Sequence, residues 1–178
     1  MADAPIYGLM AEFSTPEALL EAARCSYAEG YRKMDGYSPF PVEGLSEAIG
    51  FHGNRLPLIV LIGGILGCVG GFYLQYWIAA VDYPINVGGR PFNSWPAFVP
   101  VTFELTILAA ALAAVLGMIA LNGLPMPYHP VFNVERFQFA SRNRFFLCIE
   151  AADAKFERAA TLRFLEQQDA QGVYDVEF

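Results

Sequence analysis

The sequence predicts an α+β membrane protein, in which a two-helix transmembrane hairpin is inserted into a split ferredoxin-like βαββαβ domain. Three observations point there. Apolar residues make up 55% of the 178 and charged residues only 16%, more apolar surface than a chain this short can hide in one globule. Two long runs carry almost no charge. A strand, helix, strand pattern stands before these runs and returns after them.

The first run, Pro57 to Ala80, reads PLIVLIGGILGCVGGFYLQYWIAA. As a helix it rises about 36 Å, enough for a ~30 Å hydrocarbon core. The second, Val99 to Leu121, contains one charge, Glu104. A central charge costs roughly 3 kcal/mol, against a few tenths gained by each Leu, Ile, Val or Phe, so insertion still wins. A buried soluble hairpin is the competing reading, and its cores seldom hold two such runs. Tyr73, Tyr76, Trp77 and Tyr83, with Trp95 and Phe98, form an aromatic belt at the end shared by both helices. Residues 81–98 then make a loop whose only cation is Arg90, the other ten of the eleven Lys and Arg lying outside the hairpin. Nearest the membrane stand Arg55 and Arg136, with Arg142 and Arg144 further out. This bias places both termini in the cytoplasm and the loop in the periplasm. The start, MADAPIYGLMAEF, lacks a basic region followed by an apolar one, so insertion is expected to fall to the internal segments.

Small residues mark helix packing. Gly63, Gly67 and Gly71 recur every fourth position, as do Ala109, Ala113 and Gly117 in the second helix. Such stripes let backbones approach closely in lipid. The stripe leaves two partners open, the second helix or another chain.

Residues 1–52 hold the first half of the soluble domain. Ile6 to Phe13 alternates as a strand with Tyr7, Leu9, Ala11 and Phe13 on one face. A helix follows, started by a Ser14 to Glu17 capping box or by Thr15 with Pro16 at its first position, and stopped at Gly30. Tyr31 to Ser38 returns as a strand. Residues 122–178 repeat the order: a strand over Phe145 to Glu150, a helix from an Asp153 cap to about Asp169, and a strand over Val173 to Phe178 that puts Tyr174, Val176 and Phe178 on one face. Each half is too small to bury a sheet alone; joined, they give βαββαβ. Two unrelated tails are the alternative. The proline-punctuated YSPFPVEGL at Tyr37 to Leu45 and LPMPYHP at Leu124 to Pro130 read as rigid spacers. Leu45, Ala48 and Ile49 are expected to lay a short helical face on the membrane surface.

Little chemistry is legible. The net charge of -7 excludes nucleic acid as a partner, and no polybasic cluster reads anionic lipid. Neither apolar run contains a histidine to ligate haem, no C-x-x-C-H is present, and Cys25, Cys68 and Cys148 are too scattered for an iron–sulfur cluster or a disulfide framework. Cys68 reads as a small packing residue, and His52 and His129 as surface or structural. No Walker lysine follows the glycines of Gly63 to Gly71. Two intramembrane polar candidates remain, Gln75 and Glu104, at similar depth and so placed to hydrogen-bond. An acid there reads either as a proton or quinone site or as a polar packing contact; Asp82, at the interface, is a weaker candidate.

Four stretches carry a family likeness: VDYPINVGGRPFNSWPAFVPVTFELT at Val81 to Thr106, GMIALNGLPMPYHP at Gly117 to Pro130, SPFPVEGL at Ser38 to Leu45, and FFLCIE at Phe145 to Glu150. Together they resemble the small two-helix membrane component of alternative complex III, a bacterial quinol to electron-acceptor oxidoreductase of respiratory or photosynthetic membranes. The resemblance spans about Tyr37 to Glu150. It implies a scaffold subunit without redox cofactor or catalytic residue. It also implies partners: two polysulfide-reductase-type membrane subunits, an iron–sulfur subunit, and c-type cytochrome subunits carrying haem c. A membrane-anchored ligand sensor, and a small proton-conducting subunit using Glu104, are the rival functions.

Overall fold

A computed structural model describes residues 6–51 and 53–178. Of these, residues 6–51 with 127–178 form one compact unit, and residues 53–126 form a second.

The first unit is built on four strands, β1 (Ile6–Phe13), β2 (Met34–Tyr37), β3 (Phe145–Glu150) and β4 (Gly172–Glu177). They make an antiparallel sheet in the order β2-β3-β1-β4. β1 is central, with Phe13 opposite Phe145 and Leu9 opposite Ile149 on one side, and Met10 opposite Tyr174 on the other. Between β1 and β2 runs α1 (Pro16–Glu29). Thr15 caps it by accepting the Ala18 amide at 3.3 Å, and Gly30 ends it at φ 113°, a left-handed conformation that a side chain would strain. α2 (Leu45–Ala48) follows β2, and α5 (Arg158–Glu166) joins β3 to β4.

One face of the sheet, with Leu9, Ala11, Phe13, Leu147 and Ile149, packs on Leu19, Ala22 and Ala23 of α1 and Leu165 of α5. Leu45 and Ala48 of α2 join that core. The face expected to lie on the membrane is therefore turned inward, because burying it against α1 and β2 removes more apolar area than a surface contact would. The opposite sheet face, with Met10, Phe146, Cys148 and Val176, is covered by two 3-10 turns, Pro130–Asn133 and Glu135–Ser141, through Val131, Val134, Phe137 and Ala140.

Local patterns mislead at three points. The register of β1 shifts between Ile6 and Gly8, and Tyr7 packs with the second face rather than with Leu9; a bulge re-aims the residue it adds. β2 starts at Met34, three residues after the apolar alternation begins, because the Arg32 and Lys33 amides donate to Asp153 at 2.6 and 2.7 Å. Asp153, occupied there and with the Lys155 amide at 2.8 Å, does not cap the following helix, which begins at Arg158 after Glu157.

A buried carboxylate fixes the second face. The side chain of Glu12 is fully buried. Arg136 donates to it from two nitrogens at 3.0 and 2.6 Å, Tyr174 donates at 3.1 Å, and Arg144 lies at 3.3 Å. Burial pushes the acid's pKa up, but the hydrogen bonds from Arg136 and Tyr174 and the charges of both arginines outweigh it, holding the group below its ordinary 4.5.

Arg136 and Arg144 are partly exposed, so water takes up their charges when the acid is removed, and the loss is that of the acid's hydrogen bonds rather than of a fully buried ion pair. Glu12→Ala is expected to lower the midpoint of denaturant unfolding of the purified chain. Because the folded pKa is depressed, the contribution is complete above pH 4.5 and is lost as pH falls through the folded value. Glu12→Gln should therefore flatten the acid limb of stability against pH, and an unchanged acid limb would contradict this role.

Candidate functional site

The second unit is a pair of apolar helices, α3 (Leu56–Trp77), prolonged by a π-helical turn over Ile78–Asp82, and α4 (Trp95–Leu121). Leu58, Ile65, Leu66, Val69, Leu108 and Leu116 are among many large side chains exposed along them. In the most apolar stretch of each helix only 6% and 0% of residues are buried, which is not how the core helix of a soluble domain looks. Both are long and apolar enough to cross a membrane. α4 starts at Trp95, ahead of the apolar run, because Pro96 is tolerated in a first turn.

The two helices meet along the small residues. A Cβ added to Gly63 would stand 2.5 Å from the Ala113 Cβ, and one added to Gly67 would stand 2.6 Å from both the Ala109 Cβ and the Leu105 carbonyl oxygen. At Gly71 it would meet Leu105 at 2.9 Å, and at Gly117 Ile59 and Leu56 at 3.1 Å. The stripe of α3 thus runs antiparallel along that of α4, with backbones close enough for dispersion contacts that larger residues would forbid. Of the two partners the stripe allowed, it meets the helix of its own chain.

Above the glycines an amide side chain enters the seam. The Gln75 amide nitrogen lies 3.0 Å from the Thr102 hydroxyl, 3.1 Å from the Phe98 carbonyl and 3.0 Å from the Gly71 carbonyl, and Thr106 returns its hydroxyl to the Thr102 carbonyl at 2.7 Å. Gln75 does not pair with Glu104. Two positions on a helix lie about 160° apart around the axis, so with Thr102 in the seam, Glu104 faces outward and is exposed. The belt aromatics gather where α3 ends and α4 begins, Phe98 buried against Phe72 with ring centroids 5.9 Å apart, and Tyr73, Trp77, Tyr83 and Trp95 exposed.

In the first unit, polar groups that local patterning did not single out converge at one sheet end. Tyr7 donates to Glu150 at 3.1 Å, and its hydroxyl lies 3.5 Å from Nε2 of His129, whose Nδ1 accepts the Val131 amide at 3.4 Å. Burial and the neighbouring Glu150 raise the Asp35 pKa, and burial with Asp35 and Glu150 pushes the Cys148 thiol up to about 12. That thiol is a packing group, not a nucleophile. Cys68 is exposed on α3 and Cys25 half-buried on α1. His52 lies outside the described residues. Among the described residues, no three of His, Cys, Asp and Glu converge to hold a metal.

The seam has a direct test. Gly67→Leu should destabilise the detergent-solubilised chain by about 1–3 kcal/mol through overpacking. Gly70→Ala should leave it unchanged, since nothing stands within 4 Å of the added carbon. Equal thermal stability of the two variants would argue against the seam.

No curated protein matches the chain. The family described as "Alternative complex III, ActD subunit" matches residues 7–175, which takes in most of the sheet, both apolar helices and the Glu12 cluster. By that match, over nearly its whole length, the chain belongs to the family of the ActD subunit of alternative complex III.

Proposed function

We propose that this chain is a cofactor-free membrane scaffold of a quinol-oxidising electron-transfer complex. Its hairpin spans the bacterial inner membrane, with both termini in the cytoplasm. The observation that carries the reading is the division of labour in the hairpin. The small residues and Gln75 are spent inside, on holding α3 to α4, and the outer surface is left as large aliphatic side chains. Such a unit offers other helices and lipid a preformed apolar wall. Family membership supplies the complex. Its neighbours are proposed to be polysulfide-reductase-type membrane subunits, an iron–sulfur subunit and c-type cytochromes, which carry the redox groups. No residue of this chain is assigned a catalytic step.

The soluble unit is read as a ferredoxin-like split βαβ sandwich with the hairpin inserted between its second and third strands. The order β2-β3-β1-β4, antiparallel throughout, supports this. So do the contacts between residues before and after the hairpin, among them Glu12 with Arg136, Asp153 with the Arg32 amide, and Tyr31 with Thr161 at 3.0 Å.

Purification of the tagged chain in gentle detergent should recover haem- and iron–sulfur-containing subunits, with neither cofactor bound to the chain after separation. Recovery of the chain alone, or stoichiometric haem or iron on it, would sink the scaffold reading. Topology is checked separately by reporter fusions at Phe178 and beside Gly89, the first expected to be active only in the cytoplasm and the second only in the periplasm.

A further inference from the structure

Glu104 is an acid in the interior of a 27-residue apolar helix, nine residues or about 13 Å from its start. The seam takes Gln75, Thr102 and Thr106, whereas Glu104 is exposed, and none of the described hydrogen bonds or ion pairs within the chain includes it. A carboxylate left in hydrocarbon at that depth is costly, and such groups turn toward partners rather than lipid. One turn further along, Leu108 lines an apolar groove between α3 and α4, together with Leu66, Leu74, Leu105 and Leu112. Gly70 keeps the groove open, since a Cβ there would touch nothing within 4 Å.

Resting on the scaffold reading, we infer that this face takes a transmembrane helix of another subunit, whose side-chain hydrogen-bond donor meets the Glu104 carboxylate while its apolar residues fill the groove beside Leu108. Complementarity selects this occupant. Lipid tails can fill the groove but offer the acid no donor. A second copy would bring the same face, and therefore a second acid, against the first. A helix with an uncharged amide or hydroxyl donor satisfies both parts of the surface at once, and such a donor is served equally by the acceptor oxygen of a glutamine.

The test uses the assembled complex. Glu104→Gln keeps an acceptor oxygen and is expected to co-purify with the other subunits within twofold of the unaltered chain, with quinol oxidation retained. Glu104→Leu, which inserts more readily and removes the acceptor, is expected to lower co-purification at least tenfold at equal membrane abundance. In the otherwise unaltered chain, a benzophenone amino acid at Leu108 should crosslink to a larger membrane subunit. The same probe at Phe103, about 140° away around α4, should not. Undiminished co-purification of Glu104→Leu overturns the inference, as do crosslinks from Leu108 to lipid or to a second copy only. Lost quinol oxidation in an intact Glu104→Gln complex also overturns it, in favour of proton chemistry. In each of these cases the unaltered chain still assembles and the scaffold reading survives; an unaltered chain recovered alone ends both.

Discussion

A carboxylate with no access to water sits near the end of the central strand, and one face of the first unit's sheet is arranged around it. Glu12 belongs to β1, while the groups that satisfy it, Arg136, Arg144 and Tyr174, come from the far end of the chain. A buried acid that lost them would be strongly unfavourable, so the segment carrying Arg136 has to lie across the sheet. Val131, Val134, Phe137 and Ala140 then cover a face that would otherwise be open. This is why β1 is buried on both sides from Gly8 to Phe13. On the other side of the sheet, Asp153 does similar work, collecting the amides of Arg32 and Lys33 and delaying the second strand.

The hairpin follows a different logic, because in lipid apolar surface gives no drive to associate and contact has to come from fit. Gly63 and Gly67 let the helix backbones close, and Gln75 finds acceptors in the neighbouring helix so that its amide costs little. With these needs met internally, the pair is a finished unit with an exterior of aliphatic and aromatic side chains. Glu104 is the exception on that exterior. The exception gives the surface a direction, since one face differs from the rest in chemistry as well as in shape.

The two units thus divide structure between charge and fit. In the first, buried ionic and polar contacts join segments distant in sequence, and they specify which turns cover which face. In the hairpin, side-chain size sets the approach of the helices. The Tyr7, Glu150 and His129 group is used in holding a sheet end, and Cys148 is shielded as a thiol. On the proposed reading, the chain contributes surface and orientation to a multi-subunit assembly.

The sequence by itself determined whatever is local or periodic. Two nearly uncharged runs define the long helices, Thr15, Pro16 and Gly30 bracket α1, an apolar run marks β3, and alternation marks β4. It also carried the spacing of the glycines and alanines and the likeness to the family. Tertiary structure decided what depends on pairing across long separations. The bulge turned Tyr7 to the other face, Asp153 was drawn away from its helix, and Leu45 and Ala48 were drawn into the core. Glu12 stood in the sequence as an unexplained acid in an apolar strand, with nothing local to indicate which arginines would meet it. Gln75 and Glu104 look like partners when depth alone is counted, and helical rotation separates them. Period and spacing are properties of a segment, whereas register, rotation and the choice of partner are set by the free energy of the whole packed arrangement.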